Sequence, residues 1–133
     1  ADIIIGNHPH VLQNFEKREI TLDDGTIKDG LVIYSLGNLL ADQSKRYTRD
    51  SAIMNVNVTK DGNGKITINT VKYTPTYIYK NTSKSTQKFE IINIQNAIDS
   101  FDAGYSPNLS KTTYNTFKTE LENIKNILGE EIK

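Results

Sequence analysis

From residue 51 to residue 73 the chain alternates in period two around a turn, and no other stretch limits the possible fold as sharply. Ala52, Met54, Val56 and Val58 fall on one side of the first arm, and Asn55, Asn57 and Thr59 on the other. This is the pattern of a strand buried on one face. Asp61-Gly62-Asn63-Gly64 supplies the turn, and residues 65–73 return. The return arm changes phase: Ile66 and Ile68 share one parity, Val71 and Tyr73 the other, and a β-bulge near Asn69-Thr70 reconciles them. Pro75 then reads as a break before Tyr77-Ile78-Tyr79, fitting a strand end or an edge position.

Upstream, residues 15–22 form a polar strand carrying Glu16, Lys17, Arg18 and Glu19, expected at an edge or facing solvent. The turn Asp23-Asp24-Gly25-Thr26 sends it back into the apolar run of residues 31–36, which should be central and buried. Ile3-Ile4-Ile5 reads as another buried strand and residues 81–88 as a loop. Residues 89–92 make a last short strand, after which Ile94, Ala97, Ile98 and Phe101 recur at helical spacing until Gly104. The clearest helix spans 110–128, with Ser110 to cap it and Gly129 to end it. Its stripe of Tyr114, Phe117, Leu121, Ile124 and Leu128 is too short for a coiled coil and is expected to pack across the sheet of its own chain. The expected fold class is α/β (α+β): one domain over residues 1–133, with a mixed, largely antiparallel sheet and two C-terminal helices near 94–103 and 110–128.

Composition narrows the partners. Sixteen basic and sixteen acidic residues give zero formal net charge, and no cluster of Lys and Arg interleaves with aromatics, so nucleic acid is not expected. With no Cys, disulfides, thiolate catalysis and Cys-type zinc sites are excluded, but the compartment stays open. No apolar stretch approaches the twenty residues of a membrane span, and no signal peptide is present. A hydrophobic share of 36% is modest for this length, and the chain opens at Ala1 directly before a strand. The expectation is a soluble fragment whose uncovered sheet edge or face leads it to self-associate as a homo-oligomer.

Chemistry, if the chain performs any, starts at His8-Pro9-His10, which holds both histidines. On an extended backbone residues two apart point to one side, and Pro9 keeps His8 out of the helical region, so both imidazoles are expected to project together as two metal ligands. Against this, paired loop histidines are commonly solvated or bonded to backbone. Asn38 can line the same cleft, or simply form the Gly37-Asn38 strand-ending turn. Asp42 could orient a metal-bound imidazole and Arg49 could hold an anionic substrate, although each also reads as a surface charge. Ser35 lacks a Gly-x-Ser-x-Gly turn and lies within the buried run, which argues against a hydrolytic triad with a histidine and Asp42.

The pieces "ADIIIGNHPHVLQ", "VIYSLGNLLADQ", "RDSAIMNV" and "YTPTYIYK", in this order, resemble the C-terminal part of the CapA (PgsA-like) family of bacterial capsule and poly-γ-glutamate synthesis proteins. The likeness runs over residues 1–95. It implies a calcineurin-type metallophosphoesterase-like fold, of which this chain would be a partial sandwich. His8 and His10 match the histidines of the Gly-His-x-His metal segment, with Asn7 standing between the glycine and the first histidine as a further site-lining residue. By the same resemblance the intact protein would hold divalent Mn, Zn or Fe, sit membrane-anchored on the extracellular face of the cell envelope, and work with the capsule synthesis machinery on an anionic polymer. The missing N-terminal part would supply the remaining ligands, so this chain alone is expected to bind no metal tightly and to be inactive. Two functions stay open: a metal-dependent hydrolase or transferase, and a non-catalytic scaffold for polymer export or attachment.

Overall fold

The computed structural model describes residues 1–82, 88–106 and 108–130. Strands β1 (Ile3–Ile5), β2 (Phe15–Thr21), β3 (Ile27–Ile33), β4 (Asp50–Lys60), β5 (Ile66–Lys80) and β6 (Phe89–Asn93) precede helices α1 (Ile94–Asp102) and α2 (Lys111–Leu128). The fold is mixed α+β. The strands make two three-stranded sheets, ordered β1-β3-β2 and β4-β5-β6, where one sheet was expected. Only the β1–β3 pair is parallel. Most of the loop expected over residues 81–88 lies outside the described residues.

The hairpin forms as its alternation requires. Asn57 pairs with Thr70 but Val58 pairs with Ile68, so Asn69 is the extra residue of a bulge. That one-residue shift brings Ile68 and Val71, of opposite parity, into one buried cluster with Leu31 and Ile33 of the first sheet. Pro75 departs from expectation: it is buried in the middle of β5, the central strand of its sheet. The ladder explains why it is tolerated. Ala52, opposite Pro75, turns its N–H away to the Leu36 carbonyl at 3.3 Å, so this is a non-hydrogen-bonded pair and the proline nitrogen faces the β6 side. Pairing of β5 with β6 begins only at Thr76, one residue after Pro75, so no ladder bond is lost at the proline.

Two further boundaries move. β3 is central, but it ends at Ile33, leaving Ser35 buried outside the strand. β1 is an edge strand and not a buried central one: β3 is its neighbour among the described residues, and Ile4 and Ile5 are 55% and 61% exposed. An apolar run signals two buried faces only when both faces and edges are covered.

The helices follow their stripes. Ser110 caps α2 by accepting from the Thr113 N–H at 3.1 Å, and Gly129 ends it at φ 88°. All five stripe residues are buried, packed with α1, Tyr73 and Ala52. Phe117 sits edge-on between Tyr77 and Tyr79, with ring centroids 5.7 and 6.4 Å away, while Tyr114 stacks on Phe101 at 4.4 Å. In urea denaturation, Phe117→Ala should cost about 3–5 kcal/mol through the cavity it opens. Ser110→Ala should cost about 1 kcal/mol through the lost cap.

Candidate functional site

Beyond β1 and β3 the two chain segments stay side by side. Gly6 donates to the Ile33 carbonyl at 2.8 Å and Gln13 to the Ser35 carbonyl at 3.0 Å. A Cβ on Gly6 would lie 2.4 Å from the Tyr34 carbonyl oxygen, so the close approach of the strands requires glycine. Single bridges then link Leu12 to Leu36 and Gly37 to Ser51, joining the end of the first sheet to the edge of the second. At Gly37 the constraint is double: φ is 72°, and a Cβ would come within 2.5 Å of the Asp50 carbonyl oxygen.

The histidines sit on this crossing. Residues 8 and 9 form a turn and His10 has φ 61°, so the extended backbone from which side-by-side imidazoles were inferred is not present. A left-handed histidine is uncommon and needs holding in place. Asn38 holds it from both ends. Its Nδ2 donates to the His10 carbonyl at 3.2 Å, and its Oδ1 lies 2.8 Å from His10 Nδ1. The same Nδ2 faces Gln43 Oε1 at 2.8 Å and the Thr48 carbonyl at 3.0 Å. Three oxygen neighbours identify that atom as the amide nitrogen, so Oδ1 is the acceptor and His10 Nδ1 must carry the proton. Neutral His10 therefore keeps a bare lone pair on Nε2, the arrangement seen where an imidazole is positioned to bind a metal or accept a proton.

His8 is exposed and makes no hydrogen bond among the described residues. Asn7 accepts from the Ser35 hydroxyl at 3.3 Å, and that hydroxyl in turn accepts from the Gly37 N–H at 3.2 Å, a structural use of Ser35. Asp42 pairs with Lys80 at 2.8 Å and not with an imidazole. Arg49 donates through Nε to the Gln43 carbonyl at 3.4 Å, packing along the loop that Asn38 gathers. On the same loop Lys45 and Arg46 are exposed, with Arg46 4.6 Å above the Tyr47 ring. Among the described residues Lys45, Arg46 and Arg49 form no ion pair. Gln43, Thr48 and the pair Lys45 and Arg46 were not singled out from sequence. For the cations a signal existed, since residues 44–49 carry three of them and no acid. Among the described residues no three His, Cys, Asp or Glu come together as a metal-holding group.

Residues 1–43, which include β1, the histidine turn and Asn38, match the family model described as bacterial capsule synthesis protein PGA_cap. The chain is CapA-like. It is 37% identical over 87 residues to the PGA biosynthesis protein CapA of Bacillus subtilis (strain 168), covering 63% of this chain and 20% of that protein. It is 42% identical over 62 residues to the capsule biosynthesis protein CapA of Bacillus anthracis, covering 47% of this chain and 13% of that protein. The matched stretch is thus a fifth or less of the length of these relatives. No solved structure matches. Among the described residues of this CapA-like chain no helix is long and apolar enough to cross a membrane.

Asn38→Ala should cost about 1–3 kcal/mol, because buried carbonyl groups lose their donor. Nitrogen-15 imidazole spectra should report a Nδ1–H tautomer for His10 in the parent chain and lose it in the variant.

Proposed function

We propose that this chain belongs to a capsule biosynthesis protein in which the histidine turn supplies two ligands of a divalent metal centre and the adjoining cationic loop holds an anionic polymer such as poly-γ-glutamate. The observation that carries this reading is the joint anchoring of both parts by one residue: Asn38 orients His10 and gathers the loop bearing Lys45, Arg46 and Arg49. Three cations without carboxylate partners among the described residues, beside a turn that carries two histidines, suit a polyanion approaching a metal. The names of the two relatives, both capsule or PGA biosynthesis proteins, support the substrate class.

The metal fits this chain in part. His8 and the Nε2 of His10 are chemically suited to Mn, Zn or Fe. A catalytic zinc takes three protein ligands and a binuclear centre more, so further ligands must come from residues outside the described set. Once bound, such a metal would polarise a phosphoryl or amide group and generate hydroxide. The chain's own residues have the complementary tasks: Asn38 holds the Nδ1 side of His10, which leaves Nε2 as the nitrogen for a metal, and the 45–49 loop positions the polymer. The exposed edge of β1, with Ile4 and Ile5 uncovered, is where the rest of the intact protein or a second copy would add strands. We place the intact protein at the cell envelope in keeping with a capsule role.

Fluorescence anisotropy with labelled poly-γ-glutamate tests the polymer half of this reading. Binding should weaken with salt and fall at least tenfold, about 1.4 kcal/mol, in the Lys45→Ala, Arg46→Ala, Arg49→Ala variant. An unchanged affinity overturns it. Calorimetric titration with zinc or manganese tests the metal half: this chain should bind weaker than micromolar, and His8→Ala, His10→Ala should abolish the heat.

A further inference from the structure

We propose that the cleft enclosed by the ends of β5 and β6, the loop joining α1 to α2 and the first turn of α2 binds a neutral saccharide of about disaccharide size. The cleft has a volume of about 600 Å³, within the range of small-ligand sites. Its wall on the sheet is set by register: Tyr79 of β5 stands directly opposite Glu90 of β6, so the ring and the carboxylate lie side by side on one face. Phe117 holds that ring edge-on, with centroids 6.4 Å apart. With Ile92, Ala97 and Leu109 it supplies the apolar part of the lining.

The α1–α2 loop builds another side. Backbone bonds fix it: Tyr105 donates its N–H to the Ser100 carbonyl at 2.8 Å, and Leu109 donates to the Ser106 carbonyl at 3.1 Å. Tyr105 is nevertheless 84% exposed and stacks on no other ring among the described residues. A phenol ring left uncovered on a held loop beside a cleft gains most from a ligand that covers it. Ser106 and Asn108 continue the lining from the same loop, and Ser110 and Thr113 from α2, with the last two hydroxyls 2.9 Å apart.

The lining selects the ligand class. Among the described residues that form it there is no Lys, Arg or His, and Glu90 is its one carboxylate, so an anion would meet repulsion without a countercharge. One carboxylate is too few to hold a metal, and among the described residues no metal-holding group forms. An ammonium only donates, whereas the Ser106 hydroxyl and the Asn108 carboxamide bring donors as well as acceptors, as does the Ser110–Thr113 hydroxyl pair. A sugar hydroxyl meets both. A pyranose also presents a face of C–H groups, which suits the rings of Tyr79 and Tyr105, and a polar edge, which suits the carboxylate and the hydroxyls. No residue of the cleft belongs to the histidine turn or the cationic loop, so sugar binding here is independent of the polymer reading.

Amide chemical shifts of the full chain, titrated with maltose, cellobiose and chitobiose, test the proposal. At least one of these sugars should move the amides of Glu90, Tyr105, Ser106 and Asn108 saturably, with Kd about 1 mM or tighter. Tyr105→Ala, at a position too exposed to disturb folding, should weaken that binding about tenfold. Asn108→Ala should weaken it as well. The Lys45→Ala, Arg46→Ala, Arg49→Ala variant should bind the sugar as the parent does, which separates this cleft from the polymer site. Sugar binding here is overturned if none of the three gives a saturable shift, if both cleft variants bind unchanged, or if the cationic-loop variant loses the sugar. Tetramethylammonium or poly-γ-glutamate saturating the same amides while the sugars are inert overturns the neutral ligand in favour of a cation or an anion.

Discussion

The β4–β5 hairpin has one apolar face, and everything else in the molecule competes for it. Toward the turn end, Met54, Val56, Ile68 and Val71 take the first sheet through Leu31 and Ile33. Toward the other end, Ala52, Tyr73, Tyr77 and Tyr79 take α1 and α2. Met54 and Phe15 touch both clusters, so the two packings meet along a seam. Burial of this one face is the dominant favourable term available to a chain with 36% apolar residues. The bulge at Asn69 is what lets the whole length of β5 contribute, because without it Ile68 would turn to the opposite side.

The candidate site lies where that arrangement must be crossed. The first sheet can sit beside the helices on the hairpin only if the chain passes from β3 to β4 around the seam, and it does so through the bridges at Leu36 and Gly37. Such a crossing brings backbones closer than side chains normally permit, hence glycine at positions 6 and 37. Buried backbone oxygens there need donors, and Asn38 provides one amide to two of them, those of His10 and Thr48. Holding His10 in a left-handed conformation is part of the same solution. Structure and site are therefore not separable here, since the amide that completes the crossing also decides the histidine's tautomer.

Local patterns carried their meaning into the fold wherever a single element decided the outcome. The stripe from Tyr114 to Leu128 with its Ser110 and Gly129 ends, the hairpin alternation, the phase change at Asn69 and the central place of Leu31 to Ile33 could all be read directly, because each depends on neighbours within a turn or a pair of strands. Pro75 could not, because its tolerance depends on where β6 stops pairing, a fact of three strands together. The exposure of Ile4 and Ile5 was hidden for a related reason: an apolar run records what a strand is suited to touch, and coverage is decided by what lies alongside.

By itself the sequence determined the strand and helix inventory, the histidine pair and the capsule-protein resemblance, all of which rest on side-chain order along one dimension. The tertiary structure alone decided that the strands divide into two sheets and that His10 leaves the extended conformation. It also decided that Asn38 joins His10 to a cationic loop. Each of these is a contact between segments brought together by burying one hairpin face. Periodicity cannot encode such contacts, because their energy depends on distance in space and not on separation along the chain.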